Sequence, residues 1–145
     1  MSLTVPYTIE LSRRIDREVN NGVKWIEEHL PPDDYDGYSE VKKQVGSLNL
    51  FTCGEHEYTR YGFRQLLEKK CCDILQPDIT WCGGITEARR IYALASAYDI
   101  PCIPHGSSVY SYHLQFACAQ SPLAELLIMS PNADKIVPYF GERGV

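Results

Sequence analysis

The sequence predicts an α/β fold built on a parallel sheet, of the kind that makes the C-terminal part of a (β/α)8 TIM-type barrel. Three observations predict it. Short apolar runs alternate with helical patterns along the chain. The stretch 73–108, DILQPDITWCGGITEARRIYALASAYDIPCIPHGSS, reads as strand, helix, strand at the length of a parallel crossover. Five strand-like runs each end at or near an ionisable residue, Glu27, Glu55, Asp78, His105 and Glu125, at steps of 28, 23, 27 and 20 residues. One strand–helix unit takes about that length.

The elements follow in order. Val5 to Asn20 predicts a helix, with Ile9, Leu11, Ile15 and Val19 on one side. Gly22 suits a left-handed stop. Val23 to Ile26 is a short strand ending at Glu27-Glu28, and Pro31-Pro32-Asp33 opens a loop and the next helix. Tyr38, Val41 and Val45 give that helix its apolar face. Leu48 to Cys53 is the second strand, closed by Gly54-Glu55-His56. Thr59 is the expected N-cap of a helix carrying Phe63, Leu66 and Leu67. Ile74-Leu75 is the third strand. Thr86 is expected to cap the helix that runs to Tyr98. Ile100 to Ile103 is the fourth strand, Ser108 to Ala119 a helix, and Leu123 to Met129 a fifth strand.

The chain's 145 residues suffice for one domain, whereas a full barrel takes about 250. Length therefore favours a complete five-stranded doubly wound domain, and the row of polar strand ends favours part of a barrel. A net charge of −5 without a basic run speaks against nucleic acid or an anionic membrane as partner. No apolar run approaches the ~20 residues that span a bilayer. The N-terminus lacks the order of a signal peptide. The six cysteines show no paired spacing and several lie in apolar runs, which reads as buried, reduced thiols of a cytoplasmic protein.

The polar row suggests chemistry. Asp78 and His105 end adjacent strands of one crossover, so they fall at the same sheet edge, where a carboxylate can orient a histidine as general base. Glu27 and Glu55 end neighbouring strands and offer hard oxygen ligands for Mg²⁺. Glu28 alternates with Glu27 and is expected to point away. His56 faces substrate or solvent. His29 and His113 read as surface or structural. The GxGxxG, GxxxxGK[ST] and GxSxG patterns are all absent.

The segments KWIEEHLPPDDYDGY, CGEHEYTRYGF, DILQPDITWCGGITEARRI, IPHGSSVYSYH and AELLIMSP, in this order, resemble the C-terminal barrel of the enolase superfamily, its mandelate racemase subgroup and in particular the L-rhamnonate dehydratases. The resemblance runs from Met1 to about Phe140. It implies Mg²⁺ as cofactor with Glu27 and Glu55 as ligands, His105 as acid/base, Asp78 as its partner, Glu125 as an acid acting on the enediolate or substrate, and His56 on the substrate side. The implied reaction is loss of water from a sugar acid, L-rhamnonate giving 2-keto-3-deoxy-L-rhamnonate. Other acid-sugar dehydratases, a racemase and a non-catalytic relative are the alternatives. It further implies that a first ligand, an aspartate in a D-x-W pattern, precedes Met1, and that the capping domain and first barrel strands are absent. Two open sheet edges would then favour homo-oligomers.

Overall fold

The computed structural model describes residues 2–19, 22–106 and 108–126. It is an α/β structure in which a parallel sheet is covered on one face by helices. Helix α1 (Val5–Glu18) precedes β1 (Ile26–Glu27), α2 (Tyr35–Val45), β2 (Phe51–Cys53), α3 (Thr59–Glu68), β3 (Ile74–Leu75), α4 (Gly84–Ser96) and α5 (Val109–Ala117). The sheet order is β1-β2-β3, all parallel.

The fourth expected strand is reduced to two parallel bridges, Leu75 with Cys102 and Asp78 with His105. The reason is proline. Pro77, Pro101 and Pro104 have no N–H to give to a ladder. The N–H groups that remain still pair. Leu75 donates to Pro101 (3.0 Å), Ile103 to Leu75 (2.9 Å) and His105 to Pro77 (3.1 Å). The fifth expected strand is corrected in part: residues 123–126 are not strand, and 127–129 lie outside the described residues.

Register assigns the two faces. Glu27 pairs with Thr52 and Thr52 with Ile74, so these share one face with Gln76, two residues on. Phe51, Cys53, Leu75 and Cys102 face the other way and join the core beneath the helices, with Tyr38, Val41, Phe63, Leu66, Ile91 and Tyr92. A barrel-like division results, with apolar residues under the helices and a partly polar inner face.

Each helix starts for a local reason. The Asp34 side chain accepts the Gly37 N–H at 2.9 Å and caps α2. Ser108 does the same for α5 through the Ser111 N–H at 3.0 Å. Two expected caps are corrected. Thr59 is the first helical residue of α3, with a positive φ of 57° and no capping bond. Helix α4 starts ahead of Thr86, after Gly83 at φ 117°. The core face of α1 is made by Thr8, Ile9 and Ser12; Ile9 is buried as expected, Leu11 and Ile15 are half-buried and Val19 is exposed. Small side chains there let Asn49 reach Ser12 from the start of β2, donating to its carbonyl (3.1 Å) and hydroxyl (2.8 Å).

Candidate active site

The polar residues gather where the parallel strands end. Asp78 sits three residues past β3 and folds back on its own turn. Its Oδ1 accepts from Thr80 N–H (2.7 Å), Thr80 Oγ1 (2.6 Å) and Trp81 N–H (3.1 Å). Its Oδ2 faces His105 Nδ1 at 2.9 Å. The expected carboxylate–imidazole pair is therefore formed, across the bridge that joins the two strand ends.

The same imidazole reaches further. His105 Nε2 lies 3.3 Å from Glu55 Oε2. Glu55 is aimed by Gly54, whose φ of 121° turns the chain out of β2. Glu55 Oε1 is in turn 3.3 Å from His56 Nδ1, and His56 Nδ1 also meets Glu28 Oε2 in a short contact. The groups form one chain, Asp78–His105–Glu55–His56–Glu28. Glu125 closes the near side, with its Oε2 accepting the Gly106 N–H at 2.6 Å.

The charges answer to this packing. Burial works against the His105 cation, but Asp78, Glu55 and Glu125 outweigh it and raise the His105 pKa. Burial likewise opposes the Asp78 anion, yet the bonds from Thr80 and His105 hold its pKa below the usual value. Glu55 is raised, first by burial, then by the negative charges of Glu28 and Glu27, with His105 and His56 pulling the other way.

A cavity of about 490 Å³ opens beside these groups, lined by Glu27, Glu28, Glu55, His56, Leu30 and Pro32 among others. Glu27 Oε2 accepts from Trp25 Nε1 (3.1 Å) and Gln76 Nε2 (3.1 Å). A larger depression, about 640 Å³, lies at the opposite end of the strands. Of its two lining acids, Glu68 and Asp73, Asp73 is tied to Lys42 at 2.6 Å, and it holds none of the titratable groups above.

Glu28 is a correction. It does not point away. The strand stops at Glu27, and a positive φ of 31° at Glu28 swings its carboxylate to His56. Glu28, Glu55 and His56 are the described residues whose ligand atoms lie within 4.8 Å of one another. Glu27 stands on the cavity wall beside them. His29 is structural, buried against the rings of Tyr38 and Phe51, and His113 is exposed on α5. Gln76 is a site residue missed at the sequence level. Alternation from Asp78 would have found it, because residues two apart share a face.

The residues 1–139 match the family described as enolase C-terminal domain-like. The chain belongs to the enolase C-terminal domain-like family. Enolase-type barrel folds recur among similar solved structures. L-rhamnonate dehydratase from Gibberella zeae is 48% identical, with a TM-score of 0.89, over 97% of this chain and 35% of that one. Its complex with Mg gives 47%, 0.87, 97% and 34%. A racemase from Streptomyces coelicolor A3(2) with bound magnesium gives 26%, 0.78, 85% and 33%. The present enolase C-terminal domain-like chain thus spans about a third of the length of these structures.

Proposed function

We propose that this chain carries the acid/base part of a Mg²⁺-dependent sugar-acid dehydratase site, with L-rhamnonate as substrate and 2-keto-3-deoxy-L-rhamnonate as product. Residues 1–145 are read as part of an enolase C-terminal-like barrel domain. The observation that carries the reading is the Asp78–His105 pair, 2.9 Å apart, set beside Glu55 at the strand ends. The similarity to L-rhamnonate dehydratase supports the choice of substrate.

The donor set fits a hard divalent ion. Glu27 and Glu55 offer carboxylate oxygens to one cavity, and burial first, then the charges of Glu28 and Glu27, raises Glu55, a cost that a cation relieves. When bound, Mg²⁺ supplies positive charge to the carboxylate of the substrate, where negative charge develops on deprotonation. Two carboxylates imply weak binding, on the order of millimolar, with water completing the shell. Tight Mg²⁺ binding in a titration would contradict that.

The protein's residues then divide the work. Asp78 accepts the Nδ1–H of His105 and leaves Nε2 to take the proton from the carbon next to the substrate carboxylate. The C–H pair becomes a carbon–carbon double bond as the C–O bond to the 3-hydroxyl breaks. The hydroxyl leaves as water with the proton His105 has taken. The enol product tautomerises to the 2-keto-3-deoxy acid. Glu125 orients substrate beside His105, and His56 meets it from the far side of Glu55.

The test is turnover of L-rhamnonate with Mg²⁺, trapping the keto acid as its semicarbazone. Product from the wild type and none from His105→Ala is expected. Equal product from both removes His105 from the chemistry. The racemase similarity favours a second reading, in which the proton returns to the same carbon. Solvent deuterium entering recovered substrate without keto acid would select it. The free thiols suit a reducing compartment, so we assign the chain to the cytoplasm.

A further inference from the structure

We propose that Gln76 and Trp25 clamp one oxygen of Glu27, so that Glu27 offers its other oxygen to a divalent cation. The clamp rests on the Mg²⁺ reading and adds two positioning residues to it. Gln76 stands two strands away from Glu27. The register runs from Glu27 to Thr52 to Ile74, and Gln76 follows two residues on, on the same face. Adjacent strands lie about 4.8 Å apart, so these two backbones are separated by at least about 10 Å. Two long side chains bridge that gap, with Gln76 Nε2 donating to Glu27 Oε2 at 3.1 Å. Thr52 lies between them on β2, and its buried hydroxyl bonds to neither.

The bonds divide the carboxylate. Trp25 Nε1 donates to the same Oε2, also at 3.1 Å. Glu27 Oε1 has no hydrogen-bond partner among the described residues, and Glu27 lines the cavity that Glu55 shares. Both donors are neutral. They orient the carboxylate without cancelling its charge, as a lysine or arginine would. Gln76 adds nothing to stability that an apolar side chain would not. It is 2% exposed, and its Oε1 is buried with no hydrogen-bond partner among the described residues. A carboxylate only accepts, so the amide turns its nitrogen to Glu27 and its oxygen away. A buried acceptor left without a donor destabilises the fold, and methionine would fill the same space without one. What the amide supplies is the bond to Glu27.

The experiment is a Mg²⁺ titration of the ¹⁵N-labelled chain, followed at the Gly54 and Glu55 amide signals, beside chemical denaturation without Mg²⁺. Glu55 is the other proposed ligand and is unchanged in both variants, so its amide reports on the site. Gln76→Met is expected to weaken Mg²⁺ binding about tenfold. Its unfolding midpoint is expected to stay or rise, because the unpaired acceptor is gone. A merely structural glutamine would lower the midpoint and leave Mg²⁺ binding unchanged, and that result overturns the proposal. Trp25→Phe removes the second donor at a half-buried position and is expected to weaken binding by a similar factor. If Gln76→Met fails to fold, or loses midpoint and affinity together, Trp25→Phe decides, and unchanged binding there overturns the clamp. A wild type without any Mg²⁺-dependent shift overturns the cation reading and the clamp together. Mg²⁺ binding that both variants keep overturns the clamp alone.

Discussion

Both oxygens of Asp78 are occupied, and that determines what a conservative change would do. Oδ1 takes three donors from Thr80 and Trp81, so it must remain an acceptor. In Asp78→Asn the amide nitrogen is therefore left facing His105 Nδ1. His105 Nδ1 then becomes an acceptor, the proton moves to Nε2, and the proposed base is lost. Turnover is expected to fall about 10²–10⁴-fold with the fold intact, by steady-state kinetics beside circular dichroism. The same pair sets a pH window for stability. Asp78 has a lowered pKa, so its contribution is complete above about 3.9 and is lost as pH falls through its folded value. His105 has a raised pKa, so its contribution is complete below about 6.5 and is lost as pH rises through its folded value. Thermal melts across pH are expected to show both slopes in the wild type; in His105→Ala the alkaline slope is lost and the acid slope weakens, because Asp78 keeps its bonds from Thr80. Unaltered slopes would deny the coupling. Most of this pair was legible in sequence, because a crossover brings its two strand ends to one edge. Glu28 was not legible. Alternation holds only inside a strand, and the strand ended one residue earlier.

At the scale of elements, Gly54 decides where β2 delivers Glu55. Its φ is 121°, and a Cβ there would lie 2.8 Å from the Phe63 ring. Gly54→Ala is expected to cost about 1–3 kcal/mol, seen as a lower midpoint in chemical denaturation, and to misplace Glu55. Gly22 is the control. It is also left-handed, at φ 62°, but nothing among the described residues lies within 4 Å of a Cβ, so Gly22→Ala is expected to cost only the left-handed strain, about 1–2 kcal/mol, and less than Gly54→Ala. Equal losses at both positions would mean that the Phe63 contact is irrelevant. The helices were readable because apolar spacing survives in any context, as Tyr38, Val41 and Val45 show on α2. Their first residues were less so. Thr86 and Thr59 are good capping types, but glycine geometry at Gly83 and the extended residue Tyr58 precede those helices instead.

For the molecule as a whole, the open feature is the sheet edge. Strand β1 has β2 on one side, and on the other, among the described residues, Leu3 N–H reaches only as far as the His29 carbonyl at 2.8 Å. Exposed apolar residues lie elsewhere on the surface, with Phe116 at 86% and Leu50 at 46%. Such edges and patches favour association. Sedimentation is expected to show a concentration-dependent shift to dimers or larger species, and a monomer throughout would refute it. The sequence by itself determined the order of the helices and the first three strands and the pairing of Asp78 with His105, and its motifs carried the resemblance to the family. The first two follow from local periodicity and from residue types at strand ends, and neither needs distant partners to be known. Tertiary structure alone decided how short the strands are, that Glu28 turns inward, and that Glu55 stands between two histidines. Those depend on backbone angles and ladder bonds set by groups far apart in the chain, for which residue order carries no local signal.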